Sequence, residues 1–369
     1  MKKLTTLFSL LFLILIKSQT NISGGIFTNT TLKLSNSPYI VTNDLVVFPN
    51  IILTIEPGVE LRFEKNKYLE VRGNLVAIGT SANRIVFTSN AASPTNSDWT
   101  GIKISNSLGG KASFEYCDFK YAKTSNNSDC CFSGGPIYYK NSRFLNNYTA
   151  IAGYTGYKIK IENCEFSNNY IGVTQADKQI INSTFTNNKY GVYQSERIDI
   201  ENSVFTNNET AINGGRGFLK NSTIKNNIIG VENIWSGFDI SLSDISNNET
   251  GIKTSNYDGS IAPIKNNKIC NNTLYNVQNT DSYNIDLTQN CWCETNQSVI
   301  ESKLKDGYDD VNLGVFNYSI YDNVCQNIIS VVIKDSSLST KDFNAILHKA
   351  IVGPNPTKDY VNIKLNKMV

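Results

Sequence analysis

KNSRFLNNYTAI at 140–151, ENCEFSNNYIGV at 162–173, INSTFTNNKYGV at 181–192, ENSVFTNNETAI at 201–212 and KNSTIKNNIIGV at 220–231 are versions of one phrase. Looser copies follow, SLSDISNNETGI at 241–252 and NNKICNNTLYNV at 266–277. The second asparagine of each NN pair is Asn147, Asn169, Asn188, Asn208, Asn227, Asn248 and Asn272, a period of 19 to 24 residues. A repeat of about twenty residues with a drifting period marks a solenoid. Each coil holds a few short strands, and one turn absorbs insertions. Leucine-rich repeats need stacked leucines at fixed offsets, which are absent. Helical repeats are longer, and the NN, NS and Gly punctuation opposes helix.

The unit reads as strands and turns. Ile159-Lys160-Ile161 and Ile198-Asp199-Ile200 alternate in and out, as half-buried strands do. Phe144, Phe166, Phe185 and Phe205 are expected to point inward and stack, with Ile224 and Ile245 continuing the row. The NN pair turns the chain, because asparagine tolerates left-handed backbone angles and bonds locally. Asparagines stacked coil on coil can bond to one another. Gly172-Val173, Gly191-Val192 and Ala211-Ile212 open the next strand.

Outward from this block the texture changes but the pattern persists. Leu53-Thr54-Ile55, Leu69-Glu70-Val71, Ile85-Val86-Phe87 and Ile102-Lys103-Ile104 read as strand triplets. Phe114-Glu115-Tyr116-Cys117-Asp118-Phe119 matches Ile161-Glu162-Asn163-Cys164-Glu165-Phe166. The expected fold is all-β, a single-stranded right-handed parallel β-helix of roughly twelve coils. At about 4.8 Å per coil that makes a rod on the order of 60 Å long. The expected domains are a signal peptide at 1–19, the β-helix at 20–325 with a cap from about 286, a linker at 326–348 and a separate segment at 349–369. Lys2 and Lys3 before the apolar run Leu4–Ile16 give the leader; the run is too short to span a membrane.

The composition bounds function. The chain is 40% hydrophobic and 18% charged with a net charge of +2, so no broad attraction to nucleic acid or anionic membrane is expected. Eight cysteines fit an oxidising compartment. Candidate disulfides join Cys117 to Cys130 or Cys131, and Cys270, Cys291, Cys293 and Cys325 among themselves. Cys164 reads as a small buried hydrophobe.

Two resemblances extend this. LTIEPGVELRF…LEVRGNLVAIGT…RIVFTS…DWTGIKI at 53–104, with YCDFKYA at 116–122, resembles the bacterial pectin-lyase-like β-helix proteins. NCWCETNQSVIESKLKDGYDDVNLGVFNY at 290–318 looks like the cap of that family, departing from it at Cys291 and Cys293. VGPNPTKDYVNIKL at 352–365 resembles the opening of a type A sorting domain for type IX secretion in Bacteroidetes, carried by Pro354-Asn355-Pro356. Such domains run longer, so 349–369 is expected to be a truncated one. The resemblances imply an exported or cell-surface protein, periplasmic if the sorting segment is inactive, that meets the type IX machinery.

Little chemistry is written in the chain. His348 is the sole histidine and lies beyond the expected solenoid, which removes histidine-dependent mechanisms and histidine–zinc sites. No cofactor is expected. Asp306, Asp309 and Asp310 are a candidate calcium set, with a polar loop of the cap as the ordinary reading. Lys158, Asp177, Arg197 and Arg216 share one offset in successive repeats. Tyr157, Tyr193, Arg197, Arg216, Trp235, Asp239 and Tyr257 are the candidate glycan-binding stripe, the arginines suiting uronates. Ser93–Ser97 and Lys123–Gly135 read as loops on a rigid support. The expected function is non-catalytic, in adhesion, surface structure or glycan binding; the alternative is a lyase or hydrolase acting on an acidic polysaccharide.

Overall fold

The structure is a computed structural model of the chain. It describes residues 19–129, 135–153, 159–175, 177–195, 197–255, 263–318, 325, 350–352 and 363–365, without the side chains of 233–236, 350–352 and 363–365. The chain forms two units, 1–332 and 333–369. The first is a right-handed parallel β-helix of about 11 turns. In the second, Ala350–Val352 pairs antiparallel with Ile363–Leu365. Residues 1–18 of the expected leader, the expected linker at 326–348 and Pro354-Asn355-Pro356 lie outside the described residues.

Each coil contributes to three faces. The first face runs through Tyr138–Lys140, Ile159–Glu162, Lys178–Ile181 and Arg197–Glu201. The second runs through Cys117–Lys120, Arg143–Leu145, Glu165–Ser167, Thr184–Thr186 and Val204–Thr206. The third runs through Thr124–Ser128, Thr149–Gly153, Ile171–Thr174 and Tyr190–Tyr193. The corner from the third face back to the first varies most. Thr210–Lys220 and Ile229–Ser241 pass round it as unbroken strands.

Inward residues stack in columns at the strand spacing, so each side chain meets its own kind. Phe119, Phe144, Phe166, Phe185 and Phe205 lie ring on ring, with centroids 4.5–4.8 Å apart and planes within 12°. Ile224, Ile245 and Ile269 complete the column in register. Gly191 stands beside it because an added Cβ would lie 2.5 Å from the Ala211 carbonyl oxygen.

Two polar columns close the short corners. Between the second and third faces, the first asparagine of each NN pair turns left-handed, with φ of 57–58° from Asn146 to Asn247. The second is buried. Asn188 Oδ1 accepts from the backbone N–H and Nδ2 of Asn169, while Asn188 Nδ2 donates to the Phe166 carbonyl. The same set recurs from Asn147 to Asn248. Between the first and second faces, the N-S serines do likewise. Ser203 Oγ accepts from Ser183 N and donates to Glu201 O, and Ser183, Ser222 and Ser243 repeat the pattern.

The serine column corrects one expectation. Cys117 is not disulfide-bonded; it and Cys164 are buried free thiols. Both occupy the serine position, their Sγ donating to Glu115 O and Glu162 O. Burial holds Cys164 up at about 12, so the thiol is inert at neutral pH. Cys130 and Cys131 lie outside the described residues. In the cap, Cys270 is bonded to Cys293 and Cys291 to Cys325. The short helix Gln297–Glu301 is capped by Asn296, whose side chain accepts from Ser298 N.

One finding and one correction concern the N-terminal half. The four triplets found there are strands, as expected, and are spread over the three faces. Leu53 lies on the first face, Ile85 on the second, and Leu69 and Ile102 on the third. Lys123–Gly135 is not all loop, since Thr124–Ser128 pairs with the strands on both sides.

Asn208→Leu keeps the branched shape but strands Asn188 N–H and Nδ2 and the Phe185 carbonyl in the interior. At about 1–3 kcal/mol per buried unpaired group, the expected loss is at least about 3 kcal/mol, read as a fall in the urea midpoint. Asn207→Gly is expected to be close to neutral and Asn207→Val to cost more than about 1 kcal/mol, because only the glycine tolerates φ 58°.

Candidate functional site

The outer side of the third face holds a groove of about 460 Å³ crossing four consecutive coils. Strand alternation builds it. In the phrases T-A-I-A, I-G-V-T and Y-G-V-Y the apolar third residue points inward as Ile151, Val173 and Val192, all buried. The next residue therefore faces out, and alternation is broken at the buried Ser125, Ala150 and Gly172, so that Thr124, Thr149 and Ile171 also reach the outer side. Thr124, Thr149 and Thr174 bring hydroxyls; Asn127, Gln175 and Gln194 bring amides. Ile171 and Ala152 form an apolar patch, and the half-buried Tyr193 ring is a wall. No charged side chain is among the described residues that line the groove.

The rim is held in place. Tyr190 sits 4.5 Å from Tyr193, centroid to centroid, and 6.1 Å from Tyr170, which stacks on Tyr148 at 4.7 Å. Lys189 Nζ lies over Tyr170 and Tyr190 at 5.0 and 5.7 Å. At the third corner, Gln175 Oε1 accepts from Gly153 N at 3.3 Å. Lys178 then does something the sequence did not announce. It stands in register between Ile159 and Ile198 and is fully buried. Its ammonium donates to the carbonyls of Thr174, at 2.6 Å, and Gln175, so an interior lysine fixes the floor of the groove.

Of the stripe read from the sequence, Tyr193 lines the groove. Arg197 and Arg216 are exposed register neighbours that open the first face, on the other side of the third corner. Arg197 lies 3.8 Å from Asp199. Asp239 stands further along that face, in register with Phe218. The structure thus splits the stripe between two faces. Tyr157, Tyr257, Lys158 and the Trp235 side chain lie outside the described residues.

Other charged groups are structural. Asp118 is almost fully buried on the second face; Arg84 Nε reaches its Oδ1 at 2.6 Å and Arg143 Nε at 2.8 Å. Burial pushes its carboxyl up, but the two guanidiniums outweigh this and hold it below the usual range. Glu70 bonds Arg72 at 2.7 Å and Ser105 at 2.8 Å, and the Arg72 hydrogen bond draws it down to about 2. The calcium set is occupied by backbone. Asp306 accepts from Tyr308 N and Phe316 N, Asp309 from Asp306 N, and Asp310 from Asn312 N. Glu301, raised by burial and by Asp306 and Asp309, lies in the cap.

Residues 24–168 match the family of pectate-lyase-like beta helix domains. Over 73 residues the chain is 42% identical to Protein bark beetle of Drosophila melanogaster, covering 20% of this chain and 2% of that protein. A mannuronic acid specific polysaccharide family 6 lyase from human gut microbiota overlaps 80% of this chain and 87% of its own, with 11% identity and a TM-score of 0.22. The likeness to the pectate-lyase-like beta helix domains thus covers less than half of the chain, in its N-terminal part.

The depressed Glu70 carboxyl gives an acid limit. Its stabilisation is complete above about pH 4.5 and is lost as pH falls through about 2. The urea midpoint is expected to hold from pH 7 to 5 and then drop. In Glu70→Gln the unfolding free energy at pH 7 falls by on the order of 2 kcal/mol, allowing for screening at Arg72, and the drop below pH 5 becomes smaller.

Proposed function

We propose that this protein acts outside the cell as a glycan-binding β-helix without catalytic activity, in adhesion or surface structure. The observation that carries the reading is the groove on the third face. Hydroxyls, amides and a tyrosine ring converge there over four coils, and no carboxylate is among its described lining residues. Sugars are held by hydrogen bonds and by ring stacking, and such a surface supplies both. Cleavage of a glycosidic bond needs an acid and a base, or a base and a charge-stabilising group, within a few ångströms of one another. The leader at 1–19 and the segment 349–369 support export, with the type IX machinery as partner.

A lyase or hydrolase acting on an acidic polysaccharide is the second reading. The register pair Arg197 and Arg216, with Asp199 beside Arg197, favours it. One experiment separates the two. The full chain is incubated with a panel of acidic and neutral polysaccharides, with calcium and with chelator. Retention on at least one polysaccharide is expected, with no new reducing ends and no unsaturated uronate absorbance. Cleavage of any member of the panel overturns the non-catalytic reading.

A further inference from the structure

We infer that the groove takes an uncharged, extended, β-linked polysaccharide laid along the rod axis, with about one sugar residue over each coil. The inference rests on the glycan-binding reading and names its ligand class. Three observations carry it.

The first is charge. A uronate carboxylate entering a groove whose described lining holds no cation loses hydration and finds no compensating partner there. No described cation lines the groove. At its N-terminal end Lys103, the register partner of Asn127, reaches Glu70 at 3.4 Å, and the exposed Lys123 precedes Thr124 outside the lining. Lys189 lies over two tyrosine rings with Glu209 4.0 Å away, Lys178 is buried beneath the floor, and Arg197 and Arg216 open the first face. Toward the C-terminal end the outward row passes from Tyr193 to Asn213, Glu232 and Lys253. There Glu232 accepts from Asn213 Nδ2 at 3.0 Å and from Lys253 Nζ at 2.8 Å, a self-neutralised stop.

The second is spacing. Thr124 and Thr149 are register partners, as are Asn127 and Ala152, and Thr174 and Tyr193. Equivalent positions, filled in turn by hydroxyl, amide, apolar and tyrosine side chains, thus repeat every coil, about 4.8 Å. That is close to the length of one pyranose in an extended β-linked chain. Four coils then accommodate about three or four sugars. A helical or strongly bent glycan would fall out of step after one contact.

The third is preorganisation. The Gln175 side chain is tied to Gly153 N and its carbonyl to Lys178, while Tyr193 is braced by Tyr190. Ordering is done before the ligand arrives, which lowers the entropic cost of binding.

The test is titration calorimetry of the full chain against neutral xylo-, manno- and cello-oligosaccharides and against uronic acid oligosaccharides of matched lengths, at low and high salt. Affinity for a neutral series is expected to rise up to about four residues, level off and ignore salt. Tyr193→Ala is expected to weaken binding about tenfold, and the isosteric Thr149→Val several-fold, with thermal midpoints near the parent's and Arg197→Ala unaltered. Should Tyr193→Ala misfold, Thr149→Val still decides. Tighter, salt-sensitive uronate binding that is lost in Arg197→Ala would overturn the neutral assignment and leave glycan binding standing. Neutral binding indifferent to Tyr193 and Thr149 would remove the groove. Absence of binding to every sugar would overturn both readings.

Discussion

A corner of a β-helix is where backbone amides leave their strand and lose regular partners, and in this molecule the corners are buried. An unpaired amide there costs about as much as the burial of a large side chain gains. The asparagine and serine columns remove that cost by supplying one side-chain acceptor for each stranded N–H. The aromatic column depends on this. Phenylalanines stack at 4.5 Å only because the corners beside them hold successive coils in register. The outward faces depend on the same register, since residues on neighbouring coils can act together only if the coils are aligned. Groove, core and corners are thus consequences of one set of satisfied amides.

How much of this was legible in the sequence follows from which residues repeat. The phenylalanines and the two kinds of asparagine recur in phase, so the stack and the turns could be read directly. The serine column was less visible, because two of its members are cysteines: Cys164 read as a small buried hydrophobe, as it is, but Cys117 read as half a disulfide. Thr124–Ser128 holds no apolar residue and read as a loop; its pairing with Ile102–Ile104 and Thr149–Gly153 comes from the neighbouring coils and overrides its composition. Asn126, buried in register with Ile102 and Ile151, is equally invisible to a hydrophobic pattern.

The site was harder. Aligning charged residues at one offset grouped Tyr193 with Arg197, Arg216 and Asp239, but the corner between them sends them to two faces. Offsets within a repeat become positions on a face only once the corners are located. Part of the signal that would have found the groove was present: its lining residues between Thr124 and Gln194 are uncharged, mostly hydroxyls and amides, with Ala152 and Ile171 among them. Lys178 carried a signal too, as a cation where the coils on either side place isoleucine. Its role in fixing two carbonyls needed the fold to be seen.

The asparagine column has a direction. Every Nδ2–H points to the Oδ1 of the following coil, from Asn147 to Asn248, so the side-chain amides are aligned head to tail. Aligned amides add their dipoles and polarise one another, as the peptide groups of an α-helix do. The column is in effect a continuous polarised wire inside the rod. Its partial negative end faces the Ala122 amide and its partial positive end faces Asn276. Breaking it at one coil creates two new ends in a dry interior. Evolution can therefore lengthen or shorten the third corner freely, but it can change a column asparagine only by rebuilding the polarity of its neighbours as well.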